Sequence, residues 1–204
     1  MPKITLISLQ NKNKSRCNVF VDGEFYSGVS METVVKFRLK VGMEVAREDL
    51  DNVILESERS EALAKAADYI SSRLKTKREI KDYLIKKGYS EEIAWYCVDK
   101  LKEYDYVNDK EYSKRYVEST AKKQGKRLTE YKLMMKGVRK DDISAAYFEC
   151  DIDGNENAKN IAIKYLKNKD ITKENLAKTY RYLIGKGFTH EEAGFAISAF
   201  KEED

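Results

Sequence analysis

Few residues in this chain could perform covalent chemistry, and none is accompanied by the partners that chemistry requires. His190 is the single histidine. It lies between Thr189 and Glu191 at an expected helix start, where a solvated first-turn residue is the plain reading. A Ser-His-Asp or Cys-His system would rest on it alone, and neither a nucleophile elbow nor a Gly-rich phosphate loop is present. Cys17, Cys97 and Cys150 are odd in number, far apart and free of any Cys-x-x-Cys pairing, so they read as reduced core residues rather than ligands. The run Asp151-Ile152-Asp153-Gly154-Asn155-Glu156 is superficially like a calcium loop. Its glycine is fourth instead of sixth and its twelfth position is Ala162 rather than Glu, so an interdomain turn is the better reading. No cofactor and no enzyme activity are expected.

Positive charge is the chemistry that the chain does concentrate. Its 204 residues carry a net charge of only +4, yet Lys122 to Lys140 contains eight basic residues against the single acid Glu130. Those eight are Lys122, Lys123, Lys126, Arg127, Lys132, Lys136, Arg139 and Lys140. A second run, Arg73, Lys75, Lys77, Arg78, Lys81, Lys86 and Lys87, meets only Glu79 and Asp82. Acids gather from Glu44 to Glu61 and at Glu202-Glu203-Asp204. A local positive surface of this kind serves nucleic-acid phosphates, an acidic protein groove, or solubility alone. No helix offers a set of Asn, Gln and Arg suited to base edges, which argues against sequence-specific DNA reading. Tyr69, Tyr89, Tyr116, Tyr147 and Tyr165 fall at core-like positions, which favours packing over base stacking.

The elements that must hold this surface are written three times. Lys87-Gly88-Tyr89, Lys136-Gly137-Val138 and Lys186-Gly187-Phe188 place glycines 49 and 50 residues apart. Relative to each glycine, leucine stands four before it (Leu84, Leu133, Leu183) and an apolar residue three before it (Ile85, Met134, Ile184). Apolar residues recur at six, nine, ten and thirteen after it, including Ala94, Ile143 and Ala193 at six, and Cys97, Ala146 and Ala196 at nine. That periodicity predicts a helix, a left-handed glycine turn, and a second helix. Ser90 and Thr189 are placed to cap the second helix, Thr189 with Glu192 at capping-box spacing, while the middle copy offers Arg139, Lys140 and Asp141. A further helix precedes each pair, around Ala62 to Ile70, Tyr112 to Val117, and Ile161 to Leu166.

The fold expected is therefore mainly α, with three tandem three-helix repeats of helix-turn-helix type at residues 61–108, 109–153 and 154–204. Units of about 50 residues bury little alone, so end-to-end packing into an elongated body follows. Residues 1–60 differ. Ile4, Leu6 and Leu9 suggest a strand, Asn18 to Tyr26 forms two β-prone runs around Asp22-Gly23, and Ser30 heads a helix expected to stop at Gly42. No apolar run reaches the ~18 residues of a membrane span, and Met1-Pro2-Lys3 lacks a secretory core, so a cytoplasmic chain without membrane contact is expected.

Arg73 to Tyr89 with Thr76, Glu79, Leu84 and Lys87-Gly88, then Tyr106-Val107-Asn108-Asp109 with Tyr112 and Tyr116, then Gly125-Lys126-Arg127-Leu128 running to Lys136-Gly137-Val138, together resemble the RecX regulatory proteins. The resemblance spans residues 61–202, and the Asp-Gly hairpin region is similar to the longer Gram-positive type. Two departures stand out: Lys132 where the family usually has an acid, and Asn108-Asp109 where it has an aspartate pair, with Asp109 retaining capping capacity.

The resemblance implies a modulator of the RecA recombinase; the chain itself is expected to be a monomer. Such a protein lies along the RecA filament on single-stranded DNA and restrains its ATP hydrolysis, strand exchange and growth. Arg73, Lys77, Lys81, Lys122, Lys123, Arg127, Lys132, Lys136, Arg139 and Lys140 are then the candidate contacts to filament or DNA, about half of them neutral on substitution. Gly88, Gly137, Gly187 and Asp109 are the candidate structural positions. A tandem helix-turn-helix protein binding single- or double-stranded DNA nonspecifically is the rival class, and a pure adaptor the third.

Overall fold

The computed structural model describes residues 1–11 and 14–200; the acidic end at Glu202-Glu203-Asp204 lies outside the described residues. The chain divides into two compact units, one of Met1–Arg73 and Ile80–Tyr104, the other of Leu74–Glu79 and Asp105–Asp204.

The first unit opens with strands β1 (Ile4–Leu9), β2 (Arg16–Val21) and β3 (Glu24–Ser30), paired antiparallel in the order β1-β2-β3. Alternation along β2 sends Cys17, Val19 and Val21 to one face. They pack there with Ile4, Val29, Leu39, Leu50 and Val53. Asp22 and Gly23 both take positive φ (49° and 87°), the backbone a two-residue hairpin needs.

Ser30 caps α1 (Met31–Lys36) through its side chain, accepting from the Thr33 N–H. This helix stops well short of Gly42. Arg38 enters the left-handed region (φ 52°), and the Leu39 N–H donates to the Val34 carbonyl at 2.9 Å, closing the helix where Leu39 can reach the core. Gly42 instead turns the chain against β1, its N–H donating to the Ile4 carbonyl at 2.8 Å.

Helix α2 (Arg47–Ser71) runs without a break from Leu50 and Val53, which cover the sheet, to Ala62 and Ala66 in the first repeat. Helices α3 (Lys77–Lys86) and α4 (Glu91–Glu103) complete that repeat, burying Ile80, Leu84, Ala94, Cys97 and Val98.

The second unit holds α5 (Asp109–Thr120), α6 (Lys126–Met135) and α7 (Lys140–Cys150), then α8 (Gly154–Leu166), α9 (Lys173–Gly185) and α10 (His190–Ser198). Val117, Leu133, Val138, Ile143 and Ala146 form one core. Ala158, Ile161, Ala162, Leu183, Phe188, Ala193 and Ala196 form the next.

The repeated positions do not all face inward. Leu84, Leu133 and Leu183 are fully buried, whereas Ile85 and Met134, one residue on, are 42% and 46% exposed. One residue is about 100° of helix, enough to leave a core one stripe wide.

Candidate functional site

Each Lys-Gly step ends a helix in the same way. Gly88, Gly137 and Gly187 take φ of 93°, 82° and 89°. The next residue's N–H donates back to the buried leucine, Tyr89 to Leu84, Val138 to Leu133 and Phe188 to Leu183, at 3.1–3.2 Å. This closure leaves the carbonyls of the lysine and glycine pointing outward without a helical donor.

Two of the three turns find donors in the start of the preceding repeat's middle helix. Thr76, just before α3, donates its hydroxyl to the Lys136 carbonyl at 2.7 Å, and the Arg78 side chain covers Gly137. At the next turn the Gly125 N–H donates to the Lys186 carbonyl at 2.9 Å and the Arg127 N–H to the Gly187 carbonyl at 3.1 Å, with Leu128 over the glycine.

Thr76 and Glu79 also bond reciprocally, the Glu79 N–H donating to the Thr76 hydroxyl at 3.2 Å and the Thr76 N–H to the Glu79 carboxylate at 3.0 Å. Glu79 pairs in addition with the Lys136 ammonium. These two residues were not among the site residues expected from sequence, although Thr-x-x-Glu is a capping-box signature. Asp109 is not the cap of its own helix. Asn108 takes that place, accepting from the Lys110 and Glu111 N–H groups, while Asp109 accepts from the Lys77 N–H at 3.0 Å and so caps α3.

Electrostatics follow from this packing. Burial would raise the Glu79 pKa, but the Lys136 hydrogen bond, the Thr76 N–H and the nearby lysine charges outweigh it and hold the carboxyl below its ordinary value. Burial likewise opposes the Lys136 charge, and bonding to Glu79 and Tyr112 reverses the balance, raising its pKa. Burial raises the pKa of Asp109.

Four of the ten basic candidates are held by other side chains. Lys136 pairs with Glu79, Lys81 with Glu91, and Arg139 with Asp142, while Lys132 donates to the Gln124 side chain at 2.6 Å. Lys77 is half-buried at the start of α3. Arg73, Lys122, Lys123, Arg127 and Lys140 are exposed, Lys122 and Lys123 on the segment leading into α6. Along α6 itself Arg127, Tyr131 and Met134 recur at helical spacing on one face, with Met135 beside them. Tyr131, Met134 and Met135 are 57%, 46% and 63% exposed, and Phe148 on α7 is 89% exposed. Exposed aromatic and methionine side chains beside an arginine have the composition of a protein-binding surface.

Comparison with known proteins decides what kind of chain carries this surface. Residues 2–46 match the family described as "Regulatory protein RecX N-terminal domain", residues 62–101 the "RecX, first three-helix domain", and residues 108–146 the "RecX, second three-helix domain". The chain belongs to the RecX family. A "Regulatory protein RecX" of Clostridium botulinum (strain Alaska E43 / Type E3) is 34% identical over 196 residues, covering 94% of this chain and 92% of the relative. One of Listeria innocua is 34% identical over 212 residues, covering 99% of this chain and 77% of the relative. The fold is shared with a crystal structure of regulatory protein RecX at a TM-score of 0.67 and 24% identity, covering 94% of this chain and 97% of that one. RecX from Lactobacillus salivarius gives a TM-score of 0.63 at 22% identity, over 71% of this chain and 97% of that one.

In this RecX family member the residues first weighed for chemistry serve helix ends and packing. Asp151 takes a left-handed conformation after α7, and Asp153 caps α8 by accepting from the Glu156 N–H at 3.0 Å. His190 begins α10, its Nδ1 2.9 Å from the Tyr180 hydroxyl. Cys97 is fully buried, which pushes its thiol up to about 11. The five core-like tyrosines are all half-buried, and their rings stack on other rings or lie beneath lysines: Tyr69 on Tyr83, Tyr116 on Tyr112, Tyr165 on Tyr182, Tyr89 under Lys65 and Tyr147 under Lys126. Among the described residues no helix is long and apolar enough to cross a membrane, and no three metal-ligating side chains are grouped.

Proposed function

We propose that this chain regulates a RecA recombinase in the cytoplasm by binding the helical filament that the recombinase builds on single-stranded DNA, restraining its ATP hydrolysis, strand exchange and growth. The observation that carries the reading is relatedness to RecX regulators across 94% or more of the chain, hairpin region and helical repeats together. The exposed face of α6 supports it physically. Arg127, Tyr131 and Met134 supply an amphipathic contact, and Lys122 and Lys123 add charge at its entry. Three repeats offer successive contacts on a repeating partner, so weak individual contacts combine through effective concentration. Complementary charge speeds encounter and fixes register more than it adds affinity.

Reversing charge at Lys122, Lys123 and Arg127 together tests the reading, with binding measured to preformed filament and to bare single-stranded DNA across a salt series. Selective loss of filament binding is expected. Tight binding to bare DNA with a salt slope of about −0.7 per neutralised phosphate, undiminished by the recombinase's absence, would contradict it.

A further inference from the structure

The contact between a helix start and a Lys-Gly turn is made twice inside the chain, and among the described residues one copy of each half is left over. Thr76 is completely buried and Gly125 is buried against their respective turns, while Thr172, Lys173 and Glu174 at the start of α9 are exposed. On the acceptor side Lys136-Gly137 and Lys186-Gly187 are half-buried, while Lys87-Gly88 is exposed. A Cβ added at Gly137 would stand 2.5 Å from the Arg78 side chain, and one at Gly187 would stand 2.4 Å from Leu128; at Gly88 nothing lies within 4 Å.

The leftover halves match in chemistry. Each middle helix begins with a cap followed by lysine: Thr76-Lys77, Gly125-Lys126 and Thr172-Lys173. The α9 start thus repeats the Thr-Lys pair whose hydroxyl bonds Lys136. The charges at the α9 start are mixed: Asp170 and Glu174 are opposite in sign to Lys86 and Lys87, Lys169 and Lys173 lie beside them, and Glu174 pairs within its own helix with Lys178. Within the chain the corresponding ion pair, Glu79–Lys136, uses the third residue after Thr76, where α9 has Asn175 and the acid Glu174 stands one residue earlier. Beside the α9 start a groove of about 490 Å3, lined by Lys173, Leu176, Ala177, Tyr180, Arg181 and Ile197, presents an apolar wall. Ile85, 42% exposed three residues before Gly88, suits such a wall.

We propose that the Lys87-Gly88 turn of one copy receives the α9 start of a second copy, a head-to-tail contact that continues the packing made twice within the chain. The contact joins unlike surfaces, so each copy offers one half to one neighbour and the other half to a second. One helix start on one turn falls below the ~1,000 Å2 of a stable free interface, so the copies separate on dilution and associate when concentrated. This proposal needs no recombinase and stands or falls separately from the function proposed above.

Sedimentation velocity on the full chain alone, from about 10 μM to about 1 mM, tests it over the range in which a contact of this strength populates. The weight-average sedimentation coefficient is expected to rise across that range. Lys87→Glu and Glu174→Lys, both at exposed positions, are each expected to abolish the rise, and an equimolar mixture of the two variants to restore it. A coefficient that stays flat to the highest concentration overturns the proposal. So does association that survives both single variants, because it places the contact elsewhere, or association lost in both that mixing fails to restore.

Discussion

The Thr76 hydroxyl donates to the main-chain carbonyl of Lys136 across 60 residues of sequence, at 2.7 Å. One short polar side chain thereby caps the start of α3 and satisfies the end of α6. A serine or threonine cap alone is worth roughly 1 kcal/mol, and orphaning a part-buried carbonyl adds about as much. Thr76→Val keeps the shape and removes both bonds. It is expected to cost about 2 kcal/mol, a fall in Tm of roughly 4–8 °C for a chain of this size, measured by calorimetry.

The three turn glycines have equal backbone strain but unequal surroundings, so alanine should rank them. Each substitution forces a Cβ into the left-handed region, at about 1 kcal/mol. At Gly187 the new carbon also meets the Leu128 main-chain nitrogen at 2.5 Å, which cannot swing away, whereas at Gly137 it meets the Arg78 side chain. Gly88 has open space. Thermal denaturation should give losses in the order Gly187→Ala, then Gly137→Ala, then Gly88→Ala, and equal losses would contradict the packing described.

The Glu79–Lys136 pair fixes the sign of part of the pH dependence. Glu79 is depressed, so its contribution is present above the ordinary carboxylate range near 4 and is lost as pH falls through its lower folded value. Lys136 is raised, so its contribution is intact below about 10 and is lost as pH rises through its higher folded value. Urea unfolding between these limits should show a plateau. Glu79→Gln should lower the plateau and flatten the acid-side slope.

Thiol reactivity separates the cysteines. Cys97 is fully buried, its thiol up to about 11, whereas Cys150 is only half-buried. A thiol reagent at mildly alkaline pH should label Cys150 first and Cys97 only on unfolding. Rapid labelling of Cys97 in the native protein would contradict the first repeat's core.

The exposed α6 side chains should matter for partner binding and not for folding. Tyr131→Ala and Met134→Ala are each expected to weaken filament binding about 5- to 30-fold while leaving Tm within a degree or two. Binding titrations alongside thermal melts check both parts.

Much of the architecture could be read from the residues because it rests on local rules. The Asp22-Gly23 hairpin, the Ser90 cap and the Thr189–Glu192 capping box all appear where short-range chemistry places them. The misplaced end of α1 shows the limit: Arg38 accepts strain in a left-handed conformation because Leu39 gains the core, a tertiary reward invisible to a search for glycine. The same holds for the docking of Thr76, Arg78 and Leu128 on distant turns, and for Asp109 capping α3 rather than α5. Sequence lists the basic residues equally. Only the fold distinguishes Lys136, held by Glu79, from the exposed Lys122 and Lys123.

The most direct test of the regulatory reading is single-stranded-DNA-dependent ATP hydrolysis by the cognate RecA while this chain is added below equimolar ratio, with bare DNA binding followed in parallel. Inhibition at concentrations too low to coat the DNA, weakened by charge reversal at Lys122, Lys123 and Arg127, is the predicted result. Unchanged hydrolysis up to equimolar ratio, with salt-sensitive binding to bare DNA, would contradict it.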